Sequence, residues 1–307
     1  MTSALVTGGA GFIGVNLTRR LRDAGWDVTV FDDLSVGSRE AVEAAGGGLV
    51  VGDVLDTEAL TEAARGRDVL FHLAAGAGVI DSLRDPIGNF RVNAGGVVSA
   101  LWAARQAEVG RVVFSSSNAP LGPYAQPASE DSPLRPISPY GASKMAGEAY
   151  AVAFYESYGL ETVVVRFANA YGPHSRHKTN VIPTFIRAIE TGDPLVVYGD
   201  GEQTRDFVYV DDLCEGLERA ATVPAAAGEI FQLASGVETS VAELLRQLRW
   251  VSRRDLDVER RAARAGEVLR SYARIDKAHR VLNLGDPVPL SEGLRRTWEW
   301  FEATTRS

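Results

Sequence analysis

The segment Thr7-Gly8-Gly9-Ala10-Gly11-Phe12-Ile13-Gly14 constrains the fold more than any other stretch of the chain. It follows the short apolar run Ala4-Leu5-Val6 and opens a helically spaced stretch, Phe12 to Ala24, so strand, glycine turn and helix come in that order. Glycines let the backbone turn tightly and let an anion approach the free N–H groups at the start of the helix. In that context a Gly-x-x-Gly-x-x-Gly pattern reads as a phosphate-binding turn in a βαβ unit.

The same alternation continues. Val28-Thr-Val-Phe31, Leu49-Val-Val51, Val69-Leu-Phe-His-Leu73, Val112-Val-Phe114 and Thr162-Val-Val-Val-Arg166 are short and β-branched or apolar, as strands buried on both faces should be. Helically spaced stretches separate them at Glu58 to Ala64, Asn93 to Glu108 and Tyr140 to Tyr158. Strand and helix in turn predict an α/β protein with a parallel, doubly wound sheet. With 307 residues the chain is long enough for about two domains. After Arg166 it breaks into Pro/Gly-punctuated pieces such as Tyr171-Gly-Pro and Tyr198-Gly-Asp-Gly, which read as a smaller lobe. Asp211 to Ala221 as a helix and Ile230-Phe-Gln-Leu233 as a strand resemble the first lobe again. The expected division is therefore 1–168 with 211–235 for the first lobe, and 169–210 with 236–307 for the second. Arg253 to Arg264 alternates in sign, which suits either a solvated helix or loop face or a functional patch.

A formal net charge of −8 gives no electrostatic reason to bind nucleic acid or an anionic membrane, so any phosphate must be held by a local site. The single cysteine, Cys214, forms no intrachain disulfide, fits a reducing cytosol, and reads as a small packing residue. The opening residues lack a basic start and an apolar core, and no run of about 18 apolar residues occurs. We therefore expect a cytoplasmic protein with neither export signal nor membrane span.

Four further places carry chemistry. Asp32 closes the second strand about 20 residues past the glycines, where an acid accepts hydrogen bonds from an adenosine ribose and repels a 2′-phosphate, which favours NAD over NADP. Asp53-Val54, after the third strand, is either an adenine contact or a simple turn. Tyr140-Gly-Ala-Ser-Lys144 places a phenol and an ammonium four residues apart on one helix face. A nearby Lys⁺ favours the phenolate, so the expected effect is a lowered Tyr140 pKa and a tyrosine able to act as a base. Ser115-Ser116-Ser117 ends a strand at the sheet edge where α/β ligand sites lie, with Ser117 able to hold a substrate hydroxyl in line.

Taken in order, these motifs resemble the extended short-chain dehydrogenase/reductases, in the branch of NAD-dependent nucleotide-sugar epimerases and dehydratases, and among these most of all the UDP-sugar 4-epimerases. The matching pieces are Thr7 to Gly14, Asp32-Asp-Leu-Ser35, Gly52-Asp-Val54, His72-Leu-Ala-Ala75, Asn93, Ser115 to Ser117, Tyr140 to Lys144, Arg166-Phe-Ala-Asn-Ala-Tyr-Gly-Pro173, Gly199 to Phe207 and Arg264-Ala-Gly-Glu267. The resemblance implies a Rossmann-type doubly wound parallel sheet with a smaller C-terminal α/β substrate lobe. It makes Ser117, Tyr140 and Lys144 catalytic. It puts Gly8, Gly11, Phe12, Ile13, Gly14, Asp32, Asp53, Val54, Leu73, Ala74, Ala75 and Asn93 with Tyr140 and Lys144 on the NAD side, and Ser117, Asn169, Arg176, Asn180, Arg205 and Arg264 on the UDP-sugar side. It assigns no metal, leaves His72 structural, and implies a homodimer paired through the helices Asn93 to Ala107 and Tyr140 to Tyr158.

Within that branch, dehydratases carry Asp-Glu after the catalytic hydroxyl and decarboxylases a Glu at the place of Ala119. Here Ser117 is followed by Asn118-Ala119-Pro120, so what survives is oxidation and reduction alone, the machinery of 4-epimerisation through a 4-keto sugar. The chain also departs from the family at Leu121-Gly122, often Tyr-Gly, and at Ala77, a lysine in some epimerases. Arg176 aligns with an arginine that approaches the C6 substituent in uronate-acting relatives, so UDP-glucuronate stands beside UDP-glucose as an expected substrate. The alternative for Arg176 is a solvated basic loop. Other reactions of the branch, namely dehydration, decarboxylation or reduction, remain open alternatives. So does a non-catalytic NAD sensor, although such chains typically lose the Tyr or Lys retained here.

Overall fold

Apolar strands that bury both faces build one parallel sheet, and the helices between them cover it. The computed structural model describes residues 1–123, 127–263 and 268–305. Its first part runs β1 (Ser3–Thr7), α1 (Phe12–Asp23), β2 (Asp27–Asp32), α2 (Arg39–Ala44), β3 (Gly48–Val51), α3 (Thr57–Ala64) and β4 (Val69–His72). Then come α4 (Val79–Arg84), α5 (Pro86–Phe90), a π-helical turn Arg91–Gly95, α6 (Gly96–Gln106), β5 (Arg111–Ser117), α7 (Pro139–Tyr158) and β6 (Glu161–Phe167). The second part holds β7 (Asn169–Tyr171), α8 (Val181–Thr191), β8 (Leu195–Tyr198), β9 (Thr204–Arg205), β10 (Phe207–Tyr209) and α9 (Val210–Thr222). It ends with β11 (Ile230–Leu233), β12 (Thr239–Ser240), α10 (Val241–Ser252), β13 (Val258–Arg261), α11 (Asp276–Leu282) and α12 (Leu290–Thr305).

The main sheet has seven strands in the order β11-β6-β5-β4-β1-β2-β3, all parallel. Side-chain alternation explains why the inner strands read as apolar runs, whereas β3, expected to be buried on both faces, lies at the sheet edge and is mostly exposed. Ala4 and Val6 of β1, Val69 and Phe71 of β4 and Val113 of β5 enter one core with Leu17 and Leu21 of α1 and Leu213 and Leu217 of α9. Leu5, Leu70, Val112 and Phe114 enter the opposite core with Leu60 of α3, Val97 and Leu101 of α6 and Phe154 of α7. The sheet is thus wound on both sides, as expected. The order in which strands are added reverses between β1 and β4, and ligands of such sheets bind outside the strands' C-terminal ends at that point.

β11 reaches the edge beside β6 only after the chain has built β7 to α9. That chain returns once more to smaller pairs: β7 with β10 and β8 with β13, both parallel, and β9 with β12, antiparallel. Arg111 fastens α9 to the sheet. Its buried guanidinium donates to the carbonyls of Ala220, Ala221 and Val223 at the end of that helix, at 3.1, 3.1 and 2.8 Å, and pairs with Glu161. On the other side α8, α10 and α12 bring Ile186, Leu244 and Phe301 into the same core as α1.

Two further sequence expectations change. Within the region 253–264, Val258–Arg261 form β13, an exposed strand paired with β8, while residues 253–257 are turn and loop. The helix expected from Asn93 starts as the π-helical turn, and regular α-helix begins only at Gly96. Among the described residues no helix is long and apolar enough to cross a membrane.

Candidate active site

The strand ends Thr7, Asp32, His72 and Ser117 share one edge of the sheet. Gly8 has φ +68°, and a Cβ there would lie 2.5 Å from the Ala74 nitrogen, so the turn after β1 rests directly against Leu73-Ala74-Ala75 after β4. Thr7 couples the same two turns: its Oγ1 meets His72 Nδ1 at 2.9 Å, and its carbonyl accepts from Leu73 N–H. Gly11 caps α1 through its backbone, with no side-chain cap and no acid in the first turn. The N–H groups of Phe12, Ile13 and Gly14 therefore face outward along the helix axis, with the positive end of its dipole behind them. Phe12 itself is buried in the core.

Asp32 is buried at the mouth of this turn. Its two oxygens accept from Ala10 N–H at 3.0 Å and Leu34 N–H at 2.8 Å; burial pushes its pKa up, and those two bonds oppose the rise. Each carboxylate oxygen still has a lone pair free for a ribose hydroxyl. An uncapped helix start, a glycine turn with no room for side chains and a fixed carboxylate at the second strand end fit a dinucleotide. Asp53 is exposed and accepts from Leu55 N–H at 2.9 Å, closing a turn, while Val54 points into the core beside α6.

Asn93 lies in the π-helical turn and is fully buried. Its Oδ1 accepts from Gly76 N–H at 2.8 Å, and its Nδ2 donates to Gly76 O at 3.2 Å and Ser143 Oγ at 3.1 Å. Asn89 adds a bond to Gly76 O, and Ser143 donates to Asn89 Oδ1. Rather than presenting its amide to the cleft, Asn93 holds the loop after β4 against α7. Asn89 and Ser143 were not foreseen as its partners; no spacing rule links them.

α7 begins with Pro139, and the Ser138 hydroxyl accepts from Gly141 N–H at 3.1 Å, a start that fixes Tyr140 and Lys144 in the first two turns. A Cβ at Gly141 would come within 2.6 Å of the Ala119 carbonyl, so the start of α7 packs against the chain just after Ser117. Ser117 Oγ accepts from Ala119 N–H and is the hydrogen-bond partner of the Tyr140 phenol. Burial raises the Tyr140 pKa, and only the Ser117 bond pulls it down. The expected lowering by Lys144 is thus absent. Its ammonium donates instead to the Ser115 carbonyl at 2.7 Å and lies 5.1 Å from the centre of the Phe114 ring, because a buried ammonium takes the nearest strong acceptor. Burial brings Lys144 down to about 7, and the Glu148 charge opposes that fall. His72 is buried and neutral, driven down to about 3 by burial first and the Lys144 charge second. Cys214 is buried with its thiol pKa raised, an inert packing residue.

On the second wall, Asn169 donates to the Asp206 carbonyl at 3.2 Å, and Asn180 donates to the Ala170 carbonyl at 3.1 Å with its own Oδ1 buried and unpaired. Arg205 donates to the carbonyls of Thr204 and Val268, both at 2.8 Å. Asp206, not foreseen, organises this wall by accepting from Ser235 N–H and Oγ and from Gly236 N–H. Arg264 lies outside the described residues. Arg176 needs correction: it makes a bidentate pair with Glu190 at 2.8 and 3.1 Å and donates to Phe301 O and to the Thr304 and Thr305 hydroxyls. It clamps the end of α12, and is neither turned to a sugar nor left in a solvated loop. Among the described residues no cluster of His, Cys, Asp or Glu is placed to hold a metal.

A parallel nucleotide-binding sheet with serine, tyrosine and lysine gathered at its strand ends defines a dinucleotide-dependent enzyme. The pattern of the NAD dependent epimerase/dehydratase family matches residues 4–234. UDP-glucose 4-epimerase of Mycolicibacterium smegmatis is 37% identical over 306 residues, covering 97% of each chain. A solved UDP-glucose 4-epimerase of Thermotoga maritima, with UDP-glucose, superposes with TM-score 0.94 at 32% identity, covering 99% of this chain and 100% of its own. A dTDP-glucose 4,6-dehydratase of Streptomyces venezuelae with NAD bound gives 0.92 at 33% identity, covering 99% and 98%. The chain belongs to the NAD-dependent epimerase/dehydratase family, and its cofactor is NAD.

Proposed function

We propose that the protein interconverts UDP-glucose and UDP-galactose by inverting C4. The observation that carries this reading is the chain beside the catalytic hydroxyl: Ser117 is followed by Asn118 and Ala119, so the acids that would drive elimination or decarboxylation are missing. The commitment of Arg176 to Glu190 and α12 takes away the support for a uronate. UDP-glucose 4-epimerases among the relatives agree with the choice.

NAD, when bound, supplies a hydride acceptor that can also give the hydride back. Gly8, Gly11, the N–H groups of Phe12 to Gly14, Asp32 and the Leu73-Ala74-Ala75 turn hold its diphosphate and ribose. Asn93 keeps that turn in place. Ser117 and the Tyr140 phenol, hydrogen-bonded to each other, form a polar pair that receives the C4 hydroxyl. Tyr140 takes the hydroxyl proton and later returns it to the same oxygen, so one group serves as base and then acid. Lys144, four residues along the same helix face, holds the Ser115 carbonyl and so braces the strand end that carries Ser117. Arg205, with Arg264, Asn169 and Asn180, anchors the nucleotide diphosphate while the sugar turns over.

The test is to incubate purified protein with UDP-glucose, UDP-galactose, UDP-glucuronate and dTDP-glucose and to resolve C4 epimers. UDP-galactose formed from UDP-glucose with no net change in NADH absorbance is the expected result. A 4-keto-6-deoxy product, carbon dioxide, stoichiometric NADH or turnover of the uronate alone would overturn it.

A further inference from the structure

One helical turn past Lys144, and on the same face of α7, lies an ion pair that the proposed reaction does not use. Glu148 and Arg166 are both almost fully buried; the guanidinium of Arg166, on β6, meets the two carboxylate oxygens at 3.0 and 2.8 Å. The Ser116 hydroxyl donates to the same carboxylate at 2.5 Å. Arg166 further donates to the carbonyls of Ser129 and Glu130, and the Glu130 carboxylate accepts from Gln232 N–H of β11 at 2.9 Å. Taking two charges out of water costs several kcal/mol per ion, so such a pair is weak as a source of stability and calls for another reason to be there.

The three serines at the end of β5 supply that reason. Ser115 Oγ donates to the His72 carbonyl and ties β5 to β4. Ser116 Oγ ties β5 to α7 through Glu148. Ser117 is left beside Tyr140, its Oγ also accepting from Ala119 N–H. Because side chains alternate along a strand, fixing Ser116 on one face sets the direction of Ser115 and Ser117 on the other. The Ser115 carbonyl, which holds Lys144, belongs to the same tethered strand end.

Resting on the reading of Tyr140, Lys144 and Ser117 as the catalytic set, we propose that the Glu148–Arg166 pair is a positioning device: through Ser116 it fixes the strand end that carries Ser117, and through its carboxylate it supplies the countercharge of Lys144. The charged and titratable groups around Lys144 are Tyr140 and Glu148 of its own helix, neutral His72 of β4, and Arg166 of β6; β5 offers it a carbonyl and the Phe114 ring. Glu148 is the negative charge among them. Arg166 holds it in place through both carboxylate oxygens.

The chain's three lysines, Lys144, Lys178 and Lys277, make a direct readout practicable. Lysine labelled with carbon-13 at Cε gives one titrating signal for each, with Lys144→Arg assigning the one of interest. Glu148→Gln should lower the titration midpoint of Lys144 by about one pH unit or more, and shift the alkaline limb of kcat/KM for UDP-glucose the same way. Glu148→Asp should restore part of both. If the unpaired guanidinium unfolds Glu148→Gln, the double variant Glu148→Gln with Arg166→Met removes both charges and should show the same downward shift. Ser116→Ala keeps the pair and cuts the tether, so kcat should fall several-fold while the Lys144 midpoint stays. A midpoint unmoved in the folded Glu148 variants, or full kcat in Ser116→Ala, overturns the proposal. The lysine titration needs no substrate, so a protein that shows the shift yet converts no UDP-glucose refutes the proposed reaction and leaves the positioning role standing.

Discussion

Tyr140 and Lys144 share one helix face, and burial moves their proton affinities apart. It disfavours the charged form of each, raising the phenol and bringing the ammonium down to about 7. Tyr140→Phe removes one hydroxyl and little volume, so NAD and UDP-glucose should still bind in calorimetry while turnover falls by about 10²- to 10⁴-fold. Binding lost together with turnover would mark Tyr140 as a structural residue instead. His72 gives a second check. Its imidazole has a folded value of about 3 against about 6.5 when unfolded, so the unfolded chain binds more protons between those limits. Stability is therefore full above pH 6.5 and falls on acidification at up to about 1.4 kcal/mol per pH unit for this one group. Urea melts at pH 6 and pH 4 should show His72→Gln losing less than the wild type, and an equal loss in both would show that the imidazole titrates normally. At this scale the sequence marked Ser117, Tyr140 and Lys144 through their spacing. The contacts that fix them were hidden. Lys144 binds a backbone carbonyl, which every residue has, and Glu148 of α7 finds Arg166 on β6, where no periodicity points.

α7 was legible almost to the residue, since Ser138, Pro139 and the left-handed Gly159 are local start and stop signals. β13 was not, because its four residues become a strand only through β8, far away in sequence. Arg176 failed for a related reason: a basic loop looks available until α12 arrives from the far end of the chain. Its guanidinium now joins the loop after β7, α8 through Glu190 and the last turn of α12. Arg176→Ala should lower unfolding stability by about 1 to 3 kcal/mol through the charged bonds it removes, and leave KM for UDP-glucose within a factor of two. Thermal melts and steady-state kinetics on one preparation decide it, since a large rise in KM with an unchanged melt would return Arg176 to the sugar.

For the molecule as a whole, the parallel, doubly wound character of the main sheet followed from the alternation of short apolar runs and helices. The extent of the second lobe did not, because its two- to four-residue strands carry too little pattern to register. We retain the division into 1–168 with 211–235 and 169–210 with 236–307 as our reading. One surface of the sheet's helical cover stays apolar: Trp102 of α6 and Tyr158 of α7 meet edge to face at 6.4 Å in the open, with Arg105 over both rings, and Tyr150 and Val152 are exposed on the same helix as Tyr158. We propose that a second copy covers this seam. Sedimentation at micromolar concentration should give a dimer, and Trp102→Glu should give a monomer; a wild-type monomer would remove the proposal.

The late arrival of β11 has a consequence for synthesis. Until residue 233 leaves the ribosome, β6 is the sheet's outer strand, and Val163, Val164 and Val165 line a hydrogen-bonding edge with nothing beside it. Arg166 lacks the Gln232–Glu130 link to β11 during the same interval. A ribosome paused between β6 and β11 therefore displays a sticky ledge to its neighbours, and the nascent chain depends on β7 to α9 being made promptly. For the same reason the two lobes are not separable products: cutting the gene after β6 leaves that ledge permanently open.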